Sequence, residues 1–364
     1  MKDNNRLVSL DVLRGFTMLW IIGGDTFFHL FAALSDWWVV GVISKQLTHV
    51  PWEGLHAYDL VFPAFMFVSG MSLAYSFDAH ERRGAARSGF LLKASRRALI
   101  LMLLGIVYNF GWDVSADRFR VASVLGQIGV AYWAASWVAA WSSSIRLPLL
   151  ALASVFALVA GLQLCFHVPG IGAGVMTPEG IANGWFDRQF LPGRLYGGSY
   201  DPEGILSTVS GISVTLMGLL AGRVLLGVGS DRQRRAVAGL AIPAVLLLAI
   251  GWALSTVYPV IKAAWSVPFT MLAGGYSLLL FIAFFWLCDV RKNAVFVALF
   301  VPIGMNAIGI YLAARFFVYP VFQQLGPDAA ISNLPLAIAI VLLLLLTQWL
   351  VLRYFYLRGR FLSV

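Results

Sequence analysis

The sequence predicts an all-α, polytopic integral membrane protein, and three observations support that fold class. Of 364 residues, 60% are hydrophobic, only 12% are charged, and the mean hydropathy is +0.82. A soluble protein of this size needs more charge to cover its surface. Several apolar runs also approach the roughly 20 residues that a helix needs to cross a bilayer core. We therefore expect a single transmembrane domain over residues 1–364, without a separate soluble domain.

Hydropathy places about ten transmembrane helices along the chain. Their expected ranges are about 9–34, 59–78, 98–112, 121–141, 147–166, 206–225, 237–254, 267–287, 294–319 and 333–352. With a cytoplasmic N-terminus, all but seven of the 26 Lys and Arg residues fall in cytoplasmic segments. The exceptions are Lys45, Arg118, Arg120, Arg188, Arg194, Lys262 and Arg315. This asymmetry follows the positive-inside rule and predicts that both termini are cytoplasmic.

Charge and cysteine content limit the partners of the protein. A face that meets anionic lipid explains the net charge of +9, so no nucleic-acid partner is needed. Asp11 and Arg14 interrupt the first apolar run, which favours an uncleaved first helix over a signal peptide. Cys165 and Cys288 fall at opposite membrane faces in this topology, so we expect neither pairing nor a metal site. Glycine-rich helix faces would serve contacts within one chain or in a homodimer.

Two pairs of polar residues lie in the first membrane helix, where they are costly. Asp11 and Arg14 are three apart, so they either form a structural ion pair or leave Arg14 to face a bound anion. Asp25 and His29 are four apart and share a face beyond Gly23 and Gly24, which would allow either close backbone packing or a kink. A carboxylate beside an imidazole suits general-base catalysis, although an interfacial histidine is the simpler alternative.

The segment HVPWEGLHAYDLVFPAFMFVSG, residues 49–70, brings ionisable side chains to the mouth of the second membrane helix. Its polar and aromatic members are His49, Trp52, Glu53, His56 and Asp59. If the first two membrane helices pack antiparallel, this group converges with Asp25 and His29 near one outer mouth. A base, a positioning carboxylate and an aromatic wall suit acyl transfer or sugar binding.

Four motifs are spread along the chain. They are RLVSLDVLRG (6–15), WEGLHAYDLVFPAFMFVSG (52–70), YDPEGILSTVSGISVTLMGLLAG (200–222) and GMNAIGIYL (304–312). In order and spacing they resemble the transmembrane N-acetyltransferases, a heparan-α-glucosaminide N-acetyltransferase-like family with bacterial relatives in amino-sugar and chitin-fragment metabolism. The second and third motifs are the more specific, because LDxLRG also occurs in membrane acyltransferases that O-acylate cell-surface sugars.

The resemblance implies a multi-pass acetyltransferase of the bacterial inner membrane. Acetyl-CoA would enter from the cytoplasm, and its acetyl group would pass to the amine of a terminal glucosamine or similar amino sugar on the periplasmic side. The family's active-site histidine corresponds to His49, and its second catalytic position, an asparagine, corresponds to Asp25. The O-acylating family has a histidine at that second position. The luminal N-terminal region of the animal enzyme is expected to be absent here.

The chemistry of this transfer suggests catalytic roles. His49 would deprotonate the ammonium of the acceptor, with Asp25 or Asp59 orienting its imidazole. A covalent acetyl-histidine route stays open beside direct transfer. Asn306 or Asn109 would donate hydrogen bonds to the thioester oxyanion. No metal is expected.

Binding roles follow for further residues. Those expected at acetyl-CoA are Arg14, Arg96, Arg97 and Asn306, although the positive-inside rule also accounts for the arginines. Those expected at the sugar are His29, Trp52, Glu53, Asp201 and Glu203. Glu203 would alternatively favour the N-terminus of its own helix. The aromatic residues Trp185, Tyr196 and Tyr200 would stack on a sugar face or belong to an interfacial aromatic belt.

Functions from other classes stay open on the sequence. An amino-sugar or lipid-linked sugar transporter, or flippase, would use buried Asp and Arg residues to mark a translocation path without acyl transfer. A non-catalytic sensor would only bind acyl-CoA or sugar. A further alternative is acyl transfer to a hydroxyl group. Release of CoA in proportion to added amine distinguishes an enzyme from the transporter and from the sensor.

Overall fold

The computed structural model describes residues 7–228, 232–324 and 333–361, and these residues are mainly helical. The α-helices are α1 (Val8–Leu19), α2 (Asp25–Leu34), α3 (Trp38–Gln46), α4 (Val61–Arg82), α5 (Arg87–Phe110), α6 (Val124–Trp141), α7 (Arg146–Cys165), α8 (Ala182–Phe190), α9 (Ile205–Leu226), α10 (Gln233–Gly239), α11 (Ala241–Leu254), α12 (Val267–Phe284), α13 (Ala294–Met305), α14 (Ala307–Ala313), α15 (Tyr319–Gln324) and α16 (Leu334–Leu357). Within these ranges the one sheet is a hairpin of β1 (His167–Val168) and antiparallel β2 (Gly172–Ala173). The predicted all-α class is confirmed.

Seven helical segments in the described part of the chain are long and apolar enough to cross a membrane. They are Val8–Leu34, Ala57–Arg82, Arg146–Cys165, Ile205–Leu226, Gln233–Leu254, Val267–Val290 and Leu334–Leu357. An eighth candidate is the pair Ala294–Met305 and Ala307–Phe322, which is bent by 68°. These segments confirm a multi-pass membrane protein.

The remaining two predicted spans, 98–112 and 121–141, coincide with α5 and α6. Both ranges are helical, but neither is counted among the helices that are long and apolar enough to cross. A total of about ten spans and two cytoplasmic termini therefore stay predictions. Lys2 and Arg6, which contribute to the charge argument, lie outside the described residues.

The described chain divides into two compact units. The first unit contains residues 7–49, 56–61, 283–324 and 333–361, and the second contains residues 50–55, 62–228 and 232–282. The first and fourth sequence motifs belong to the first unit, the third motif belongs to the second unit, and the second motif contributes to both. A single transmembrane domain over residues 1–364 stays a prediction.

In the first unit, glycine allows α1 to pack closely against α13. A Cβ atom at Gly15 would collide with the carbonyl oxygen of Phe300, and one at Gly304 with the carbonyl oxygen of Asp11. Membrane helices commonly use small residues for such close backbone approach. The LDVLRG and GMNAIGIYL motifs therefore meet in one helix–helix contact.

A break in the first membrane helix sets the position of Asp25. The π-helical turn Trp20–Gly24 separates α1 from α2, and within it Gly23 adopts a φ of 127°. Glycine reaches this conformation without the steric cost that a Cβ atom imposes. The kink that the sequence accommodates at this point is confirmed, and Asp25 becomes the first residue of α2.

In the second unit, α4 and α9 make a contact of the same kind. A Cβ atom at Gly70 would collide with the carbonyl oxygen of Thr215, and one at Gly218 with the carbonyl oxygen of Phe67. The second and third sequence motifs meet here. The apolar core beside this contact includes Leu73, Phe77, Phe90, Tyr132, Leu216 and Leu219.

A buried polar network ties the second unit's α7 and α8 to other segments. Gln163 Nε2 donates to Asn183 Oδ1 at 2.8 Å, and Asn183 Nδ2 donates to Ser207 Oγ at 3.1 Å and to the carbonyl oxygen of Ala264 at 3.0 Å. Tyr258 donates its hydroxyl hydrogen to Gln163 Oε1. Hydrogen-bonded side chains of this kind are costly to break when they are buried, so the network fixes the loop before α12.

Candidate active site

His49 and Asp59 form a hydrogen-bonded pair in the first unit. His49 Nδ1 lies 2.7 Å from Asp59 Oδ1. Since a carboxylate accepts, the neutral ring carries its proton on Nδ1 and keeps a lone pair on Nε2. The His49 side chain is 50% exposed, whereas that of Asp59 is 0% exposed. A buried carboxylate therefore orients an accessible imidazole, as general-base catalysis requires.

A short turn before α4 holds both members of this pair. Asp59 lies in the 3₁₀ turn Ala57–Leu60, and its Oδ2 accepts the backbone N–H of His56 at 2.9 Å. His56 Nδ1 lies 3.0 Å from the carbonyl oxygen of Thr48, the residue before His49. His56 thus binds both the Asp59 carboxylate and the residue before His49, which holds the two members of the pair close together.

Tyr58 connects the pair to Asp25. The Tyr58 hydroxyl donates to Asp25 Oδ2 at 2.8 Å, and the Tyr58 and His49 ring centroids are 4.8 Å apart. The structure thus brings Asp25, His49 and Asp59 together, as the sequence predicts. Of the two carboxylates predicted to orient His49, Asp59 makes the hydrogen bond.

His29 has a hydroxyl partner. Its Nδ1 lies 2.8 Å from the Oγ atom of Ser44 in α3. The hydrogen bonds of Asp25 go to Tyr58 and Thr26, although Asp25 and His29 are one helical turn apart. Asp25 therefore does not orient His29 through a hydrogen bond, and a role of His29 at the sugar stays a prediction.

In the second unit, Asp201 and Glu203 both bind Arg120. Arg120 Nε donates to Asp201 Oδ2 at 2.7 Å, and its Nη2 donates to Asp201 Oδ1 and to Glu203 Oε2. Burial lowers the pKa of Arg120, but the hydrogen bonds and charges of the two carboxylates raise it above its ordinary value. Both carboxylates expected at the sugar are therefore engaged by an arginine of the protein itself.

Asp187 caps the N-terminus of α9, the helix end that Glu203 precedes in the sequence. Its Oδ1 accepts the N–H of Ile205 at 2.9 Å, and its Oδ2 accepts the N–H of Asp201 at 3.0 Å. A Cβ atom at Gly204 would collide with the Asp187 carboxylate, so glycine leaves the space for this cap. Asp187 is fully buried, and burial raises its pKa to about 6.

The aromatic residues expected at the sugar contact protein groups in the second unit. Trp52 Nε1 donates to a backbone carbonyl oxygen at 2.7 Å, and its ring meets that of Tyr200 edge-on at 4.9 Å. Tyr196 faces a guanidinium group at 5.1 Å, and Trp185 packs among phenylalanine rings. Glu53 has an exposed side chain. Contacts of these residues with a sugar stay predictions.

Of the residues expected at acetyl-CoA, Arg14 forms the predicted ion pair with Asp11 at 3.2 Å. Arg97 lies 4.4 Å from a tyrosine ring centroid, and its Nε is buried without a hydrogen-bond partner among the described residues. Arg96 is exposed, and Asn306 is buried at the bend that follows α13. Their contacts with acetyl-CoA stay predictions.

Asn109 has a structural role that competes with its predicted one. Its Nδ2 donates to the carbonyl oxygens of Arg120 and Ala122, at 2.9 and 2.8 Å. An amide nitrogen that already donates both hydrogens has none left for an oxyanion. Asn306 is therefore the remaining candidate of the two.

Sequence reasoning missed Tyr58, Ser44, Arg120 and Asp187 as members of these clusters. Arg120 could have been singled out from the sequence, because it is one of the seven basic residues outside the expected cytoplasmic segments. Tyr58 precedes Asp59 within the second motif, which also offered a signal. No pattern in the sequence distinguished Asp187 or Ser44.

Among residues 7–228, 232–324 and 333–361, no group of three or more His, Cys, Asp or Glu side chains could hold a metal ion. Cys165 is exposed, Cys288 is buried, and both are free thiols. The two cysteines are thus not paired with each other, as the sequence predicts.

Comparison with known proteins points to one family. Residues 6–186 match the family model described as heparan-alpha-glucosaminide N-acetyltransferase, catalytic. The chain is 27% identical over 371 residues to heparan-alpha-glucosaminide N-acetyltransferase of Homo sapiens, and 25% identical over 370 residues to that of Mus musculus. These matches cover 86% and 85% of this chain but 53% of each relative, so the chain spans about half the length of the curated relatives it matches. The His49–Asp59 pair lies inside the matched region, and these matches support a heparan-alpha-glucosaminide N-acetyltransferase-like family for this chain.

Proposed function

We propose that this protein is a membrane-embedded acyltransferase that moves an acetyl group from acetyl-CoA to the amine of a terminal glucosamine or similar amino sugar. The observation that carries the proposal is the His49–Asp59 pair, in which a buried carboxylate orients an exposed imidazole. The pair lies within the residues that match a family model described as catalytic. The names of the curated relatives supply the reaction type and the acceptor class.

In this proposal His49 is the general base. Its Nε2 takes a proton from the acceptor's ammonium, while Asp59 offsets the positive charge that the ring gains. The amine nitrogen then forms the C–N bond to the acetyl carbon as the C–S bond breaks, and CoA leaves with its sulfur protonated. Asn306 is the proposed donor to the oxyanion. An acetyl-histidine route would use the same Nε2 atom and the same Asp59 contact.

The proposal includes a direction across the membrane. Acetyl-CoA approaches from the cytoplasm, where Arg14, Arg96 and Arg97 are placed by the positive-inside rule. The acceptor approaches from the periplasmic side of a bacterial inner membrane, at the end of the first membrane helix that carries Asp25. About ten spans, cytoplasmic termini and an assembly as monomer or homodimer complete the proposed arrangement.

The first test is thiol release from acetyl-CoA by detergent-purified protein, with and without glucosamine. We expect amine-dependent release, and we expect His49→Ala to lower kcat by about 10²- to 10⁴-fold because it removes the base. Asp59→Asn should lower kcat in the same direction, since it removes the carboxylate that orients the ring. His167→Ala is the matched control, because His167 is an exposed histidine in β1.

Three outcomes would contradict the proposal. Turnover of His49→Ala at the wild-type rate would exclude His49 as the base. Binding of acetyl-CoA without any amine-dependent thiol release would favour a sensor. Movement of glucosamine across vesicles regardless of acetyl-CoA, again without thiol release, would favour the transporter.

A further inference from the structure

Asp25 is a carboxylate in the candidate membrane-spanning segment Val8–Leu34. Its hydrogen-bond partners are Tyr58 and Thr26, and among the described residues it forms no ion pair with Lys or Arg. His29, one helical turn along α2, has its Nδ1 2.8 Å from the Oγ atom of Ser44. An ionisable group at membrane depth is expensive to keep, and it commonly marks a functional site.

The hydrogen bonds of Asp25 leave room for one more donor. Oδ1 accepts the N–H of Thr26 at 2.6 Å and the Thr26 hydroxyl at 3.2 Å, and Oδ2 accepts the Tyr58 hydroxyl at 2.8 Å. A carboxylate accepts about four hydrogen bonds, two at each oxygen. One acceptor position therefore remains on Oδ2, the oxygen that Tyr58 holds.

Tyr58 places this oxygen close to the proposed base. Its hydroxyl touches Asp25 Oδ2, while its ring lies 4.8 Å from the His49 ring, measured between centroids. One tyrosine side chain thus spans the distance between a carboxylate with a vacant acceptor position and an imidazole with a lone pair. An amine that lies between these two groups would donate one hydrogen to the carboxylate and a second to the imidazole.

We propose that Asp25, positioned by Tyr58, binds the ammonium group of the acceptor before His49 deprotonates it. This inference rests on the proposed acetyl transfer and specifies its acceptor class as cationic primary amines. Asp25 forms no covalent bond in this step. It accepts an N–H hydrogen bond from the ammonium group, and the proton that the ammonium group loses goes to His49 Nε2. A neutral hydroxyl acceptor gains no charge-assisted hydrogen bond here, so the site favours N-acylation over O-acylation.

The test compares acceptor kinetics of Asp25→Asn and Tyr58→Phe with those of the wild type, using glucosamine as acceptor. Asp25→Asn keeps the shape and removes the charge, so we expect the KM for glucosamine to rise by about 10- to 100-fold. The KM for acetyl-CoA should stay close to the wild-type value. Tyr58→Phe should raise the glucosamine KM by a smaller factor, since the carboxylate remains but loses its positioning bond.

Asp36→Asn is the matched control, because Asp36 is an exposed carboxylate between α2 and α3. Its glucosamine KM should equal that of the wild type. Glucose, which carries a hydroxyl in place of the amine, serves as a neutral competitor. The wild type should prefer glucosamine strongly, and Asp25→Asn should reduce that preference.

A glucosamine-induced thermal shift, measured in parallel, gives an answer even for a variant without turnover. The inference predicts a shift for the wild type and a much smaller shift for Asp25→Asn. An unchanged glucosamine KM or an equal thermal shift in Asp25→Asn would overturn it. Failure of the proposed function has a different signature, namely wild-type protein without amine-dependent thiol release.

Discussion

The His49–Asp59 pair and the Arg120–Asp201 pair use the same chemistry with opposite exposure. In each pair, a nitrogen-containing side chain binds a carboxylate that is 0% exposed. The His49 side chain is 50% exposed, whereas that of Arg120 is 10% exposed. The first pair offers a lone pair to an incoming group, and the second is enclosed by the protein.

The two carboxylates differ in how they are bound. Each oxygen of Asp201 accepts twice, from Arg120 and from the backbone N–H groups of Tyr196 and Glu203. Asp59 has histidine residues as partners: its Oδ1 lies 2.7 Å from His49 Nδ1, and its Oδ2 accepts the backbone N–H of His56. A carboxylate whose four acceptor positions are filled by the protein is a structural group. We therefore expect substitutions in the two clusters to affect different observables.

The largest expected effect on stability comes from Arg120. Arg120→Ala leaves Asp201 and Glu203 without their cation, and breaking a buried ion pair costs about 3–5 kcal/mol. Arg118→Ala is the matched control, because Arg118 pairs with Asp113 at the surface and exposed pairs contribute about 0–1 kcal/mol. Thermal unfolding in detergent should show a large fall in Tm for the first variant and a small one for the second.

Equal Tm values for these two variants would show that the buried Arg120 pair contributes no more stability than the exposed Arg118 pair. A second comparison uses Arg120→Met combined with Asp201→Asn and Glu203→Gln, which removes all three charges together. Its stability should exceed that of Arg120→Ala, because no uncompensated buried charge remains. A lower stability would indicate that geometry, rather than charge, dominates this cluster.

The two units use the same glycine contact between helices, α1 with α13 and α4 with α9. We therefore expect Gly→Ala substitutions in the two contacts to lower stability by similar amounts. Gly15→Ala and Gly218→Ala each direct a Cβ atom at a backbone carbonyl oxygen, which cannot move without shifting a helix. Overpacking of this kind costs about 1–3 kcal/mol. Gly161→Ala in α7 is the control, since its Cβ atom would meet nothing within 4 Å, and it should stabilise the helix by up to about 1 kcal/mol.

Tm measurements on these three glycine variants test whether an added Cβ atom overpacks the two helix contacts. We expect a fall for Gly15→Ala and Gly218→Ala, and an unchanged or raised value for Gly161→Ala. If Gly15→Ala and Gly161→Ala behaved alike, the close approach of α1 to α13 would be relaxed in solution. The same comparison with Gly218→Ala tests the contact of α4 with α9.

The sequence predicted those features that depend on local spacing and composition. Apolar runs predicted the helices, and the segment 49–70 brought His49 and Asp59 to the mouth of the same membrane helix, where the structure pairs them. The position of Asp25 after a double glycine similarly placed it at a break in the first membrane helix. These features follow from hydropathy and from backbone conformations that glycine alone adopts easily.

The remaining features depend on contacts between distant segments. Arg120 and Asp201 are 81 positions apart, and no period or motif joins them. For the same reason Glu203, which precedes a helix, suggested a local role at its N-terminus. In the folded chain, Asp187 of α8 binds the N-terminus of α9, and Glu203 accepts a hydrogen bond from Arg120. The local rule identified the helix end at which carboxylates act, but it could not show that Asp187 caps it.

Asp187 belongs to the enclosed cluster, but no arginine in the described part of the chain donates a hydrogen bond to it, so it should respond to pH. Burial raises its pKa to about 6 from an ordinary 3.8, the nearby charge of Asp201 adds to the effect, and that of Arg188 opposes it. The folded state therefore binds this proton more tightly than the unfolded state. The stabilisation is fully present below about pH 4 and is lost as the pH rises through 6, by at most about 1.4 kcal/mol per pH unit.

The measurement for Asp187 is Tm against pH from 4 to 7 for the wild type and for Asp187→Asn, which cannot titrate. The wild type should lose Tm relative to the variant as the pH rises, because only the wild type must bury a negative charge. Parallel curves would contradict the raised pKa. A relative gain of the wild type with pH would mean that the two backbone N–H bonds, from Ile205 and Asp201, outweigh burial. In that case the two backbone N–H groups alone would stabilise the Asp187 carboxylate, and the enclosed cluster would hold its charge without the help of a second cation.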